Sequence, residues 1–201
     1  MKSTLVALRP FARRRRQAPR VRVGGVTLIE LMVTLAIVAI AAGLGVPSFL
    51  RYLARHAIAA QAEELQDAVR VGRNEAMKRS GPVVLCRTEP DSPGHCAGNG
   101  GSWQTWLLFT DLGRTGTFAA GDTIVRQHVD VSPRMTVAGS AASIRFEATG
   151  IAQADVDSPV FTFSPAGASP NASGGDLALQ RRVCVNPRGE VAVVAGGVPC
   201  P

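Results

Sequence analysis

The sequence contains no nucleophile elbow, no phosphate-binding glycine loop and no metal-site motif. Its three histidines, His56, His95 and His128, fall in segments that read as helix, loop and strand, so no base is provided with a nucleophile or an orienting acid. These absences exclude the familiar hydrolase and nucleotide-dependent classes. The chain reads as a non-enzyme that calls for no cofactor and no metal, and it shows no internal repeat. A basic main domain is also missing. The formal net charge of +7 is concentrated in residues 1–25, which hold eight Lys and Arg and no acid, while the other 14 Lys and Arg stand against all 15 Asp and Glu. From Val26 onward the chain is close to neutral, and its bulk charge gives no footprint for nucleic acid.

The basic leader is followed by an apolar run from Val26 to Leu50, interrupted by little besides Thr27, Glu30, Thr34, Gly43, Gly45, Pro47 and Ser48. A bilayer-spanning helix takes about 20 residues, so this run predicts a transmembrane helix over 26–50. The arginines in front of it place the N-terminus in the cytoplasm and the rest of the chain outside. A cleaved secretory signal, ending at Ala41-Ala42-Gly43, is the alternative. Glu30 speaks against it, and it is also costly in a plain anchor. A charge at the centre of a bilayer costs roughly 2.5–3.5 kcal/mol on insertion scales, which implies a partner for this carboxylate.

Apolar residues continue at helical spacing beyond the membrane edge: Phe49, Leu53, Ala57 or Ile58, Ala62, Leu65, Val69, Gly72 and Ala76. Charged residues fill much of the remaining surface, so an amphipathic helix is expected over 51–80, stopped by Ser80-Gly81-Pro82. Pro47, with Gly43 and Gly45 before it, is expected to loosen the helix. After Pro82 come short β-like runs: 83–85, 103–109, 123–127, 135–137, 144–146, 160–163, 182–185 and 191–194. The stretches Asp91–Ser102 and Ser164–Asp176 read as loops. The expected fold is α+β, with a long N-terminal helix packed on an antiparallel β domain over 81–201. Trp103 and Trp106, three apart in a strand-like run, are expected to face opposite sides.

The four cysteines are Cys86, Cys96, Cys184 and Cys200. In an exported domain disulfides are the default, with three pairings open and local pairing preferred. Each short loop would stabilise the fold by roughly 2–3 kcal/mol. A zinc site from Cys86, His95 and Cys96 is the rival, disfavoured by its loose spacing.

The run Gly25-Val26-Thr27-Leu28-Ile29-Glu30 resembles the class III signal of type IV pilins and type II secretion pseudopilins. The resemblance implies cleavage by a prepilin peptidase between Gly25 and Val26 and N-methylation of Val26, where the family more often has Phe. It also implies that Glu30 neutralises the N-terminal amine of a neighbouring subunit during assembly, and that Pro47 marks helix loosening in the filament. Further along, Arg73-Asn74-Glu75-Ala76, the segment Trp103–Asp111, Gly121-Asp122 to Arg126, Ile144-Arg145-Phe146 with Gly150, and Pro187-Arg188-Gly189 are similar to the minor pseudopilin family of general secretion protein H and its pilus counterpart FimT. This implies a single-pass protein of the bacterial inner membrane with a periplasmic domain. Its partners would be the prepilin peptidase, other major and minor pilins or pseudopilins and the inner-membrane assembly platform. Its role would be protein secretion or pilus biogenesis.

Two further readings follow from that resemblance. Some pseudopilins bind calcium, and here Asp111, Asp122 and nearby carbonyls are the candidate ligands, although no EF-hand spacing is present. Some FimT-like subunits capture DNA through a C-terminal Gly-Arg-x-Arg pattern. The matching place here is Gly189-Glu190-Val191-Ala192, with an acid where phosphate would lie, and Arg181, Arg182 and Arg188 are the substitute candidates.

Overall fold

The computed structural model describes residues 25–168 and 175–201. The basic leader up to residue 24 and part of the expected 164–176 loop lie outside the described residues. The element order is α1 (Leu28–Arg79), β1 (Val83–Glu89), β2 (Ser92–Cys96), β3 (Trp106–Thr110), β4 (Ile124–His128), β5 (Met135–Gly139), β6 (Ser143–Phe146), β7 (Ala152–Ala154), β8 (Val160–Pro165), α2 (Gly175–Leu179), β9 (Arg181–Val185) and β10 (Val191–Ala195). The chain divides into two units, Met1–Leu44 and Gly45–Pro201.

In the first unit α1 begins directly after Thr27, and the described side chains from Val26 to Gly43 are all exposed. Among the described residues no helix is long and apolar enough to cross a membrane. The helix continues unbroken through Pro47, so the proline does not end it.

In the second unit α1 buries one stripe: Ile58, Ala62, Leu65, Ala68, Val69, Gly72 and Ala76. The expected stripe is therefore real from Ile58 onward. Phe49 and Leu53 depart from it, at 59% and 46% exposed, because the sheets do not reach that far back along the helix. Two antiparallel sheets share this stripe as their floor. The first runs β4-β3-β1-β6-β7 with β2 paired to the end of β1, and the second runs β10-β9-β8-β5. Val83, Leu85, Leu108, Ile144 and Phe146 of the first sheet meet Phe161, Phe163, Val183 and Val185 of the second in one core with the helix. Alternate residues of the central strands, Val84, Cys86, Leu107 and Phe109, form a separate apolar cluster on the other face, covered in part by Phe118 and Cys96. That two-sided burial is why β1 and β3 read as unbroken apolar runs rather than alternating ones.

Three expectations are corrected. Asp91–Ser102 contains β2, because Cys96 pairs with Thr88 and is bonded to Cys86, which overrides a Pro- and Gly-containing sequence of low strand propensity. Trp103 and Trp106 do not face opposite sides: both lie in the same core, at 2% and 4% exposed. The chain bends at residues 103–105 before β3 begins, so the period-2 rule does not connect them. Trp103 instead turns toward the second sheet, with its indole N–H donating to the Ala141 carbonyl at 2.8 Å and its ring edge-on to Phe161. The short elements β7 and α2 were not foreseen; each spans at most five residues.

Helix α1 ends at Arg79 as its stop signal predicts, in a Schellman motif. The Ser80 N–H donates to Met77 and the Gly81 N–H to Ala76. The left-handed position is filled by Ser80, at φ 52°, rather than by glycine. In the last turn Arg79 donates to Glu75 at 2.6 Å and Lys78 lies nearby. The Arg79 hydrogen bond holds the Glu75 carboxyl below its usual range against an opposing effect of burial, with Lys78 adding to the lowering.

Glycine is required at one position of α1 and is missing at another. A Cβ at Gly72 would lie 2.9 Å from Leu108 and Phe146 side-chain atoms, so Gly72→Ala is expected to destabilise the fold by about 1–3 kcal/mol despite better helix propensity. Ser80→Gly is expected to stabilise it by about 1 kcal/mol, because it relieves a left-handed non-glycine residue. Urea unfolding of each variant beside the parent chain measures both.

Candidate assembly site

Thr27 caps α1. The Glu30 N–H donates to Thr27 Oγ1 at 3.3 Å, and the Leu31 N–H donates to the Thr27 carbonyl at 3.2 Å. Thr27-Leu28-Ile29-Glu30 thus has the Ser/Thr-x-x-Glu spacing of a capping box. That signal was readable in the sequence and fixes the helix start two residues after the Gly25–Val26 bond. Only half of the box is formed. The Glu30 carboxylate makes no hydrogen bond or ion pair among the described residues, and it stands exposed with Val26, Leu28, Ile29, Leu31 and Met32 around it. The positive end of the helix favours a carboxylate at this position, and among the described residues no cationic side chain is paired with it.

Three of the sequence segments similar to the secretion family meet at one junction. Arg73 Nε donates to the Gly150 carbonyl at 3.2 Å. Gly150 and Gly189 both adopt left-handed backbones, at φ 81° and 73°, beneath the Arg73 side chain. A Cβ on Gly189 would sit 2.5 Å from the Gly150 carbonyl and 3.1 Å from Arg73 Cδ. The arginine therefore seats two turns, one from each sheet, on the helix, and side-chain-free residues are required at both turns.

Asp111 is fully buried. Its carboxylate accepts from the Thr115 and Gly116 N–H groups at 2.8 and 2.9 Å and pairs with Arg145 Nη2 at 3.1 Å. Asp122 accepts from the Leu112 and Ala119 N–H groups, each at 2.9 Å. The calcium reading of these residues is corrected accordingly. Both carboxylates staple the 111–122 loop, and Arg145 supplies the cation for Asp111. Among the described residues no group of three or more His, Cys, Asp or Glu is placed to hold a metal ion. Through Phe118, stacked edge-on against Phe109, this loop covers the far face of the first sheet.

The cysteines pair locally, Cys86 with Cys96 and Cys184 with Cys200, so the zinc reading of Cys86, His95 and Cys96 is excluded. His56 and His95 are exposed. His128 is buried, with Nδ1 2.8 Å from Glu64 Oε1 and Nε2 3.2 Å from the Asp130 carbonyl, and it stacks on Trp106. It ties β4 to α1 and faces no nucleophile. A hollow of about 330 Å³ beside the Cys184–Cys200 bond is lined by Ser158, Asn186, Glu190, Val191 and Pro201 among others, which is not a catalytic set.

Arg181, Arg182 and Arg188 do not form a patch. Arg181 and Arg182 begin β9 and point to opposite faces of it, while Arg188 lies in the turn at the strand's other end. Arg181 donates to the Ala178 and Gln180 carbonyls and Arg182 to the Val198 carbonyl.

A helix headed by a processing-type signal and seated beneath antiparallel sheets defines a pilin-like subunit. The prokaryotic N-terminal methylation motif matches residues 20–46. The model of the type II transport protein GspH matches residues 61–192, about two thirds of the chain, and the chain belongs to this family. Solved structures that resemble it include the type IV minor pilin FimU of Pseudomonas aeruginosa, at 15% identity over 72% of this chain and 92% of that one, with a TM-score of 0.48. Another is the minor pseudopilin EpsH of the Vibrio cholerae type 2 secretion system, at 13% identity over 70% and 98%, with a TM-score of 0.47. No curated protein matches this chain.

Replacing Asp111 by Asn removes the charge that Arg145 faces and one acceptor that the loop N–H groups need. Asp111→Asn is expected to cost about 3 kcal/mol of stability, read as a lower urea midpoint, with no recovery on adding calcium.

Proposed function

We propose that this chain is a minor subunit of a filament assembled from the bacterial inner membrane, either a type II secretion pseudopilus or a type IV pilus. Membership of the GspH family and the methylation motif support this reading. The observation that carries it is the unpaired Glu30 carboxylate on the exposed apolar start of α1.

In this reading a prepilin peptidase cuts between Gly25 and Val26 and methylates Val26, creating an amine at the head of a helix already capped by Thr27. The apolar run over 26–50 holds the subunit in the inner membrane, N-terminus inward, until the assembly platform extracts it. A neighbour's Val26 amine then meets Glu30. Two charges that would each be costly in an apolar filament core offset one another, and a register error leaves both unpaired. Pro47 is where the helix gives as it packs among its neighbours. The exposed Phe49, Leu50, Tyr52 and Leu53 extend the apolar surface available to adjacent helices. The domain over 81–201 is carried outside the helical core, and its role is structural. The scattered arginines and Glu190 give no support to DNA capture.

A strain lacking this chain, complemented with parent or Glu30→Ala, tests the reading. The parent is expected to restore one filament-dependent output, secreted enzymes for a pseudopilus or surface pili for a type IV pilus. Glu30→Ala is expected to be exported and cleaved normally yet restore less than a tenth of it, since loss of one partner of a buried pair costs about 3–5 kcal/mol. Full activity of Glu30→Ala overturns the proposed pairing.

A further inference from the structure

His128 closes β4, an edge strand of the first sheet. It is buried, and both of its ring nitrogens face an oxygen. Nδ1 lies 2.8 Å from Glu64 Oε1 on α1, and Nε2 lies 3.2 Å from the Asp130 carbonyl. A carbonyl oxygen only accepts, and so does an ionised carboxylate. A neutral imidazole has one N–H and can serve one of the two. The imidazolium has two and serves both. The ring also stacks on Trp106 with centroids 5.7 Å apart, and an indole face attracts a cation at that range. Burial disfavours a charge unless it is paired and hydrogen-bonded, and here the doubly protonated ring meets both conditions.

Glu64 is the one carboxylate that touches the ring. Of the other charged groups around it, Asp67 on α1 pairs with Arg70. Arg87 on β1 stands in the same cross-strand row, beyond Trp106, and pairs with Glu89. Glu63 on α1, Arg126 on β4, and Asp130 and Arg134 in the loop after β4 are exposed.

The strand that His128 holds has few other ties. β4 is bonded to β3 alone and shifts register against it between Leu108 and Phe109. Among the described residues, His128 makes the only side-chain hydrogen bond between β4 and α1. Its second nitrogen fixes the start of the 129–134 loop, in which Val129 and Val131 are exposed.

We propose that His128 is a pH-gated latch between the β4 edge, the 129–134 loop and helix α1. As the imidazolium it holds loop and helix together. On losing a proton it keeps the stronger contact, to the Glu64 carboxylate, and turns a lone pair toward the Asp130 carbonyl, so the loop is let go. Folding favours the doubly protonated ring. The native state therefore takes up a proton in the range, about pH 5 to 8, where imidazole changes charge, and stability falls as pH rises through it.

The test is urea unfolding of the full-length chain in detergent at about pH 5.5 and about pH 8.5, followed by tryptophan fluorescence. Trp103 and Trp106 are the two tryptophans, and both lie in the core of the second unit. All four cysteines are bonded, so no thiol titrates in this window. The parent midpoint is expected to fall by at least about 0.5 M between the two pH values. His128→Phe keeps a ring against Trp106 with no proton to lose, and is expected to show less than about half of that fall. Contributions from His56, His95 and the N-terminus are common to both chains. Glu64→Gln, on the half-exposed helix surface, keeps the shape, removes the charge and is expected to shrink the fall as well. It decides the matter should His128→Phe fail to fold. A parent midpoint that holds or rises with pH, or a fall undiminished in the folded variants, overturns the proposal.

Discussion

Everything in the second unit rests on one shared surface, the stripe of α1 from Ile58 to Ala76. Neither sheet has an independent core. Each buries its inner face against the same line of small and branched side chains, and the two meet over it. Small residues let the sheets approach closely: Ala62, Ala68, Gly72 and Ala76 leave room for Leu108, Phe146 and their neighbours. Such a stripe gives little stability by itself, because a lone amphipathic helix is marginal in water. It becomes firm only with both sheets in place, which makes the helix and the sheets one cooperative block.

The outer face of the first sheet is closed by different means. Its apolar residues are too few to form a second core, and a polar loop is drawn across them instead. The loop holds its shape because Asp111 and Asp122 satisfy four of its N–H groups, and because Arg145 reaches up from β6 to neutralise the buried Asp111. Cys86, in the middle of this face, is tied to β2. Covalent and electrostatic ties stand where hydrophobic area is short. At the opposite side of the sheets Arg73 performs a comparable task between two left-handed turns.

Much of this was legible in the sequence because it is written in periodicity and punctuation. The helix end at Arg79, the stripe from Ile58 onward, eight of the ten strands and the local disulfide pairing follow from spacing and stop signals. What escaped depends on contacts distant in sequence. Strand β2 exists because Cys96 is bonded to Cys86, and nothing in Ser-Pro-Gly-His-Cys announces it. Trp103 lies in the core because the chain bends before β3, which no alternation rule could reveal. The roles of Asp111 and Arg73 were invisible for the same reason, since Arg145 and Gly150 are far along the chain. Near the helix start Glu30 is conspicuous in its apolar run, and Thr27, three residues earlier, carries a capping-box spacing that the sequence also displays.

The two disulfides have a consequence for the order in which the chain is made. Each closes a short segment, with sequence separations of 10 and 16, and the two segments do not overlap. A chain that emerges N-terminus first presents Cys86 and Cys96 well before Cys184 exists, so the first pair can be oxidised and removed from competition. Only two thiols then remain for the second. Correct pairing is thereby dictated by timing as well as by geometry, and β9 gains its covalent tie only when Cys200 has appeared.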